Sequence, residues 1–410
     1  MRIAYYLLTT IFYYLLRPYL YLRILKKKEC PSRYQEKLGN SLRTRKNGKL
    51  IWFHCSSIGE LKSIFPIIDN YLKKNQILVT TSTLSSNEIF EKKYKNTENI
   101  VHQYAPIDSP QIIKKFFKRW KPDAIFFTES EIWPNQIFYA KNNKIPIILI
   151  NARISNKSFI KWRLIKRSMY QILNCFDLIL SQSNESVGHF KYFGTNNVMM
   201  LGNLKFVISE DLVPDEENFN LQKRLIFTAL STHPSEEEIC IKIHASLKSQ
   251  FPNLLTIIIP RHINRIPEIE QKIINTKLNF LTSETIDNFK DNSDILIINS
   301  YGNTKKILKL SKYVFIGGSL VNHGGQNPIE VAHNNSIIFH GPHIHNFTEI
   351  YNFLNKENIA FKISSEIELT NQLKEKFNNS KNINIKEKLI KIGDEILSST
   401  IKKIDQYIVN

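Results

Sequence analysis

The sequence predicts an α/β protein made of two doubly wound halves, each a parallel sheet covered by crossover helices. Three observations carry this. From about residue 50 onward, short β-rich apolar runs alternate with helix-periodic stretches, the pattern of parallel sheets with helical connections. The alternation stops once, in the acidic and polar stretch "VISEDLVPDEENFNLQ" at 207–222, and then restarts. The chain has 410 residues, beyond the size at which one hydrophobic core stops growing, so two domains of roughly 200 residues each are expected.

The chain begins with the apolar run "IAYYLLTTIFYYLL", Ile3 to Leu16, followed by "RPYLYLRILKKK". Fourteen helical residues reach roughly 21 Å, short of a hydrocarbon core of about 30 Å, and Arg17 and Pro18 interrupt the run. Residues 1–25 are therefore expected to form a short snorkelling anchor or a helix lying in the membrane interface. Lys26, Lys27 and Lys28 would keep the rest of the chain on the cytoplasmic side. The first domain, 26–207, should contain the strands "LIWFHC" (50–55), "QILVTT" (76–81), "DAIFFT" (123–128), "PIILIN" (146–151), "DLILSQ" (177–182) and "VMMLG" (198–202). Leu61, Ile64, Phe65, Ile68 and Leu72 share a helical face after the first strand, with Pro66 expected to kink that helix. Residues 208–222 read as the linker. The second domain, 223–410, should contain "RLIFTAL" (224–230), "LLTIIIP" (254–260), "DILIIN" (294–299), "YVFIGG" (313–318) and "SIIFHG" (336–341).

A net charge of +19 and a pI near 9.5 point to an anionic partner: a phosphorylated or carboxylated substrate, an acidic membrane surface, or nucleic acid. An abundance of Lys, Asn and Ile, as in an A- and T-rich coding sequence, accounts for part of that charge. Cys30, Cys55, Cys175 and Cys240 are scattered and form no C-x-x-C pair, so they read as reduced thiols. No P-loop and no Asp-x-Asp pair occurs, which argues against an ATPase and against a carboxylate clamp for a metal. His340, His343 and His345 read as loop histidines, and no metal site is expected.

Four segments carry chemistry. "HCSSIGEL" (54–61) follows a strand and opens a helix, where open α/β sheets place reactive groups. Cys55 reads as the buried end of the strand, and Ser56 and Ser57 as turn-shaping or capping residues. Glu60, near a helix N-terminus, should be held ionised, which would make it a weaker base. Gly59 would let a substrate approach. "TESEIWPN" puts Glu129 and Glu131 at a strand end, and "GNLKF" supplies Lys205. Arg153 begins a basic cluster that continues through Lys157, Lys161, Arg163, Lys166 and Arg167, either a solvated face or a contact for an anionic acceptor or lipid. In the second half, "GGSLVNHGGQNPIE" (317–330) offers close backbone approach at its glycines and a helix start at Asn327-Pro328 suited to phosphate or ribose oxygens. Arg261, in "PRH", provides a bidentate grip on phosphate or carboxylate, and Ser231, Thr232 and His233 end a neighbouring strand.

Taken together and in order, "RYQEKLG", "SSIGE", "TESEIWPN", "NARIS", "GNLKF", "STH", "PRH", "FIGGSLV" through "GGQNPIE", and "GPH" resemble the Kdo transferases, glycosyltransferases that add 3-deoxy-D-manno-octulosonic acid (Kdo) to a lipid A precursor. The resemblance implies a GT-B fold with two Rossmann-like domains facing a cleft. It also implies CMP-Kdo as donor, lipid IVA as acceptor, an inverting transfer without metal or cofactor, and attachment to the cytoplasmic face of the inner membrane in lipopolysaccharide biosynthesis. Carried over by position, Glu60 resembles the catalytic base and Glu129 and Lys205 the transition-state stabilisers. Pro260, Arg261, Tyr301, Gly302, Asn303, Asn327, Pro328, Ile329 and Glu330 resemble the CMP-binding segments. Ser57, Gly59, Arg153, His233, His262, Gly318 and Ser319 are further substrate-binding candidates. Another GT-B transferase using a UDP- or GDP-sugar is the alternative enzyme. A membrane-tethered nucleic-acid binder is disfavoured because the basic residues do not alternate with aromatics in one stripe and no binding motif is present.

Overall fold

The computed structural model describes residues 2–41, 43–207, 221, 224–286, 289, 293–300, 304–379 and 384–408. The chain forms two compact units, one of Met1–Ser209 with Ile392–Asn410 and the other of Glu210–Lys391. Most of the segment expected to link them lies outside the described residues.

The first unit holds a seven-stranded parallel sheet. Its strands are β1 (Leu50–His54), β2 (Gln76–Thr81), β3 (Ile100–Tyr104), β4 (Ala124–Thr128), β5 (Ile147–Ala152), β6 (Leu178–Ser181) and β7 (Val198–Met200), in the order β3-β2-β1-β4-β5-β6-β7. The chain builds outward from β1 through β2 and β3, then returns and builds the other way from β4. The reversal falls between β1 and β4, and the loops leaving their carboxyl ends flank the crevice where such sheets bind ligands. Trp52, on β1, packs against Phe116 with ring centroids 4.6 Å apart, and its Nε1–H donates to Thr80 Oγ1 at 2.8 Å, so the strand carrying the candidate site is pinned in the core. β3 escapes the reading of apolar runs because His102 and Gln103 interrupt it. Both are buried, His102 bonded to Thr81 Oγ1 and Gln103 accepting from Trp120 Nε1–H at 2.7 Å.

The second unit holds a second seven-stranded parallel sheet. Its strands are β8 (Leu225–Thr232), β9 (Leu254–Pro260), β10 (Phe280–Ser283), β11 (Ile295–Ile298), β12 (Tyr313–Ile316), β13 (Ile337–His340) and β14 (Ala360–Lys362), in the order β10-β11-β9-β8-β12-β13-β14. Its reversal lies between β8 and β12. The short strands β10 and β14, one at each edge, were not expected from the sequence.

Two expectations need correction. The boundary 223–410 does not hold, because the last helix, Ile385–Ile408, belongs to the first unit from Ile392 onward. Tyr71 Oη donates to Asp405 at 2.8 Å, the Ile408 carbonyl accepts from Lys49 Nζ, and Gly202 lies against Ile396 so tightly that a Cβ would sit 2.7 Å from that side chain. Residues 1–25 are likewise not a separate element. They form helices Arg2–Phe12 and Leu16–Leu25 joined by a 3-10 turn, Tyr13–Leu15, just upstream of Pro18, whose ring would clash with the carbonyl of Tyr14 in an unbroken helix. One stripe docks on the first unit: Tyr5 Oη donates to Asp108 at 2.9 Å, Asn135 Nδ2 donates to Thr9 Oγ1 at 3.0 Å, and Leu16 and Leu20 pack with Leu38 and Ile112. The other stripe is bare, with Ile3, Leu8, Ile11, Tyr14 and Leu15 all more than half exposed. Among the described residues no helix is long and apolar enough to cross a membrane. The helix Ile58–Leu72 runs through Pro66 unbroken.

Candidate active site

In the first unit the chemistry collects at the carboxyl ends of β1, β4 and β5. After β1 the chain turns through Cys55, Ser56 and Ser57 into the helix Ile58–Leu72. Cys55 is fully buried, and burial pushes its thiol well above the usual range, so it is inert as a nucleophile. Ser57 is the N-cap: its Oγ accepts from the Glu60 N–H at 3.3 Å and donates to Glu60 Oε1 at 2.9 Å. The Ser56 N–H donates to Glu60 Oε2 at 2.7 Å. The Glu60 carboxylate thus folds back on its own helix start, accepting from the N–H one residue ahead of the N-cap, a variant of the capping box. Burial pushes its carboxyl above the usual range, the Ser56 N–H pulls it down, and the negative charges of Glu129 and Glu131 push it up again. The net direction is upward. The expectation of a weaker base is therefore not met: desolvation and two neighbouring carboxylates raise the Glu60 carboxyl, and the base is strengthened.

Glu129, directly after β4, sits at φ +55°, a conformation that costs a non-glycine residue about 1–3 kcal/mol and persists only where its surroundings enforce it. They do: the Glu129 N–H donates to Ile150 at 3.0 Å, the Arg153 N–H donates to the Glu129 carbonyl at 3.2 Å, and Ser130 Oγ donates to the Arg153 carbonyl at 2.6 Å. Glu129 Oε1 meets Lys205 Nζ at 2.5 Å. Lys205 is carried by the 3-10 turn Leu204–Phe206, capped by Asn203, whose Oδ1 accepts from the Lys205 N–H at 3.0 Å. Asn151 ties the two segments together, accepting from the Leu204 N–H at 3.0 Å while its Nδ2 reaches Glu129 Oε1 at 3.5 Å. Arg153 Nε is buried without a hydrogen-bond partner among the described residues, so a cationic donor stands idle beside this cluster.

Glu131 is turned the other way. Its Oε1 accepts from Ser56 Oγ at 2.5 Å, and its Oε2 accepts from Trp133 Nε1–H at 2.8 Å and bonds His54 Nε2 at 3.0 Å. Burial alone would raise its carboxyl, but the hydrogen bond and charge of His54, aided by Ser56 and Trp133, bring it down to about 2.

In the second unit, the loops after β8 and β12 are clamped by Glu236. This carboxylate is fully buried and accepts from the N–H groups of His233 (2.9 Å), Gly318 (2.7 Å), Ser319 (3.1 Å) and Leu320 (3.0 Å). The amides of Gly318 and Ser319 are thus already engaged with an internal anion, and what they can still offer a ligand is close approach and the Ser319 side chain, itself tied to the Ile316 carbonyl and to the Gly341 N–H. Gly317 permits that packing, since a Cβ there would lie 2.5 Å from the Ser231 carbonyl oxygen. Beside this clamp the His233 ring lies 4.0 Å from that of His323 and 6.1 Å from that of His262. Burial, followed by the charges of His323, His262, Arg261 and Arg265, pushes His233 down to about 4, and its buried Nε2 has no partner among the described residues. Arg261 is exposed, whereas Arg265 is held by Glu237 at 2.7 Å. Asn327 Oδ1 accepts from the Ile329 N–H at 3.1 Å and starts the five-residue helix Ile329–His333, with Pro328 buried and Glu330 exposed. His340 is buried and bonded to the Gly341 carbonyl and to Asn355, which makes it structural. Tyr301, Gly302 and Asn303 lie outside the described residues.

Comparison with known proteins settles the family. Residues 32–208 match the family described as 3-deoxy-D-manno-octulosonic-acid transferase (kdotransferase). The 3-deoxy-D-manno-octulosonic acid transferase of Rickettsia prowazekii (strain Madrid E) is 34% identical over 372 residues, covering 88% of this chain and 78% of that protein. The chain belongs to the 3-deoxy-D-manno-octulosonic acid transferase family. A second member, from Aquifex aeolicus (strain VF5), is 30% identical over 358 residues, covering 87% of this chain and 93% of its own. The transferase also shares its fold with GT-B-like solved structures. A glycosyltransferase from Rickettsia africae ESF-5 has a TM-score of 0.56 at 12% identity, covering 89% of this chain and 100% of its own. The UDP-GlcNAc 2-epimerase of Neisseria meningitidis has a TM-score of 0.59 at 12% identity, covering 88% and 99%.

In the transferase, Ser57, Glu60, Glu129, Arg153 and Lys205 gather in the first unit, with Gly59 on the same helix turn facing open space. Pro260, Arg261, His262 and His233 gather in the second, at the ends of adjacent strands β9 and β8. Glu131 and His54 both lie in motifs visible in the sequence, but only the fold joins them, and only the fold marks Glu236. The available signals are a histidine closing β1 and an acidic run at 236–238 that opens a helix.

Proposed function

We propose that this transferase moves Kdo from CMP-Kdo to a lipid A precursor, lipid IVA, with inversion at the anomeric carbon and without a metal, at the cytoplasmic face of the inner membrane. The observation that carries the reading is the Glu60 carboxylate, oriented by two donors and raised above the usual carboxylate range by burial and by Glu129 and Glu131. Glu60 takes the proton of the acceptor sugar hydroxyl as its oxygen attacks the donor's anomeric carbon, and CMP departs from the opposite face. Lys205, its ammonium anchored on Glu129 with donors to spare, and Arg153, with its idle Nε, face substrates that carry a carboxylate and phosphates. In the second unit Pro260, Arg261, Tyr301 to Asn303 and Asn327 to Glu330 bind the nucleotide, with neutral His233 able to bond it without adding charge. The bare stripe of the N-terminal helices, followed by Lys26 to Lys28, lies in the membrane interface with its apolar side chains among the acyl chains.

The test is mass spectrometry of the lipid after incubation of the full-length protein with CMP-Kdo and lipid IVA, wild type against Glu60→Ala. Added Kdo with the wild type and none with the variant is expected; full transfer by the variant overturns the assignment. Stabilisation against heat by CMP more than by UDP or GDP is the companion expectation, and the reverse preference would move the donor to another nucleotide sugar.

A further inference from the structure

We propose that Glu131 is a positioning residue for this reaction: it locks the Ser56 turn that aims the Glu60 carboxylate, and it does not itself meet the substrate. The proposal rests on the reading of Glu60 as the base and goes beyond it.

A carboxylate accepts up to about four hydrogen bonds, and Glu131 has three donors on its two oxygens: Ser56 Oγ at 2.5 Å, Trp133 Nε1 at 2.8 Å and His54 Nε2 at 3.0 Å. His54 is itself immobile. It is 1% exposed at the end of β1, and its Nδ1 is bonded at 2.9 Å to Thr80 Oγ1, which accepts from Trp52 Nε1–H at 2.8 Å. A chain of short contacts therefore runs from the core tryptophan through Thr80 and His54 to Glu131, and ends on Ser56. Ser56 then acts in two directions, its hydroxyl donating to Glu131 and its N–H to Glu60 Oε2 at 2.7 Å. Glu131 comes from the loop after β4 and Ser56 from the loop after β1, so this single contact staples together the two loops that flank the reversal of the sheet. The two carboxylates of "TESE" divide the labour: Glu129 is held toward Lys205, while Glu131 is enclosed by donors that fix the base.

A purely structural role would lower stability and leave kcat of the folded enzyme unchanged; a positioning role lowers kcat of the folded enzyme with KM little changed. The titratable groups that act on Glu60 are Glu129 and Glu131 from the loop after β4 and the buried Cys55 thiol of the turn before its helix; Lys205 is paired with Glu129 and His54 with Glu131. Of these, Glu129 and Glu131 raise it.

The experiment uses the full-length transferase with CMP-Kdo and lipid IVA, comparing wild type, Glu131→Gln, Ser56→Ala and Glu60→Ala. Glu131→Gln keeps the shape and removes the charge. Its kcat should fall by about 10²-fold, the loss that misplacing a reacting group produces, with both KM values within about threefold of wild type. The acid limb of its kcat/KM profile should move to lower pH, because one of the charges that raise Glu60 is gone. Ser56→Ala should lose kcat in the same direction with a smaller shift of the limb. Glu131→Gln with wild-type kcat, whether or not its limb moves, alongside an inactive Glu60→Ala, overturns the positioning role and leaves the base assignment standing; an active Glu60→Ala overturns the base itself. If Glu131→Gln does not fold, a folded Ser56→Ala with wild-type kcat overturns the proposal.

Discussion

Lys205 and Glu129 should behave as one unit. Their atoms meet at 2.5 Å, and the two side chains are 23% and 14% exposed, so the pair is mostly but not wholly removed from water. Lys205→Met leaves the Glu129 carboxylate without its cation, in a backbone conformation that already carries strain. Breaking a fully buried pair costs about 3–5 kcal/mol and an exposed one at most about 1, which puts this pair near ~2 kcal/mol. In a domain of this size that is roughly a 4–8 °C fall in melting temperature. The effect on rate should be larger. Removing a fixed charge that stabilises the transition state costs about 10²–10³ in kcat. Lys205→Met is therefore expected to fold, melt a few degrees lower and transfer Kdo about 10²–10³ times more slowly. Because each residue orients the other, the double variant Glu129→Gln/Lys205→Met should be about as slow as the worse single variant, not the product of the two. The assay is initial-rate transfer from CMP-Kdo to lipid IVA under saturating substrates, with thermal melts on the same preparations. Independent, multiplicative losses would refute the coupled pair, and a Lys205→Met variant with kcat within threefold of wild type would refute the role itself.

Other perturbations separate packing from chemistry. Gly59→Ala meets no atom within 4 Å, so its melting temperature should stay within about 2 °C of wild type, or rise slightly through helix propensity, while the KM for the lipid acceptor rises and that for CMP-Kdo does not. Gly317→Ala does the opposite: its Cβ would fall 2.5 Å from the Ser231 carbonyl oxygen and 2.6 Å from Thr232 Cα, so a loss of at least about 1–3 kcal/mol is expected by thermal melting, with CMP binding weakened. Leu8, Ile11 and Leu15, all on the bare N-terminal stripe, can be changed together to Ser; binding to vesicles containing anionic lipid in a flotation assay should fall by at least tenfold, while transfer to detergent-dispersed lipid IVA persists.

Much of this molecule is written in local pattern, and the remainder in long-range partnership. Strands β1, β4 and β5 announce themselves as apolar runs because they are buried on both faces, and the Ser-Ser-x-Gly-Glu sequence after β1 shows its cap by spacing alone. β3 hides because His102 and Gln103 are polar yet buried, satisfied by partners on other elements. Glu236 hides for the same reason: three glutamates at a helix start read as a solvated first turn, and only the tertiary fold brings three amides of the 318–320 loop onto one of them. The sign of the Glu60 shift was also not local. The helix terminus was visible in sequence, whereas the burial and the two carboxylates from the loop after β4 that raise Glu60 were not. The last helix gives no sign in its own sequence of leaving the second unit at Ile392, since an amphipathic pattern says that a face is buried and not against what.

The most direct test of the account is the pH dependence of Kdo transfer by wild type and Glu60→Gln. For the wild type, kcat/KM should rise with pH along an acid limb above the ordinary glutamate value of about 4.3, because the catalytic carboxyl is raised and must be ionised to accept the proton. Glu60→Gln should lose about 10²–10⁴ in kcat and show no such limb. A Glu60→Gln enzyme that keeps the wild-type rate and the same acid limb would contradict the account.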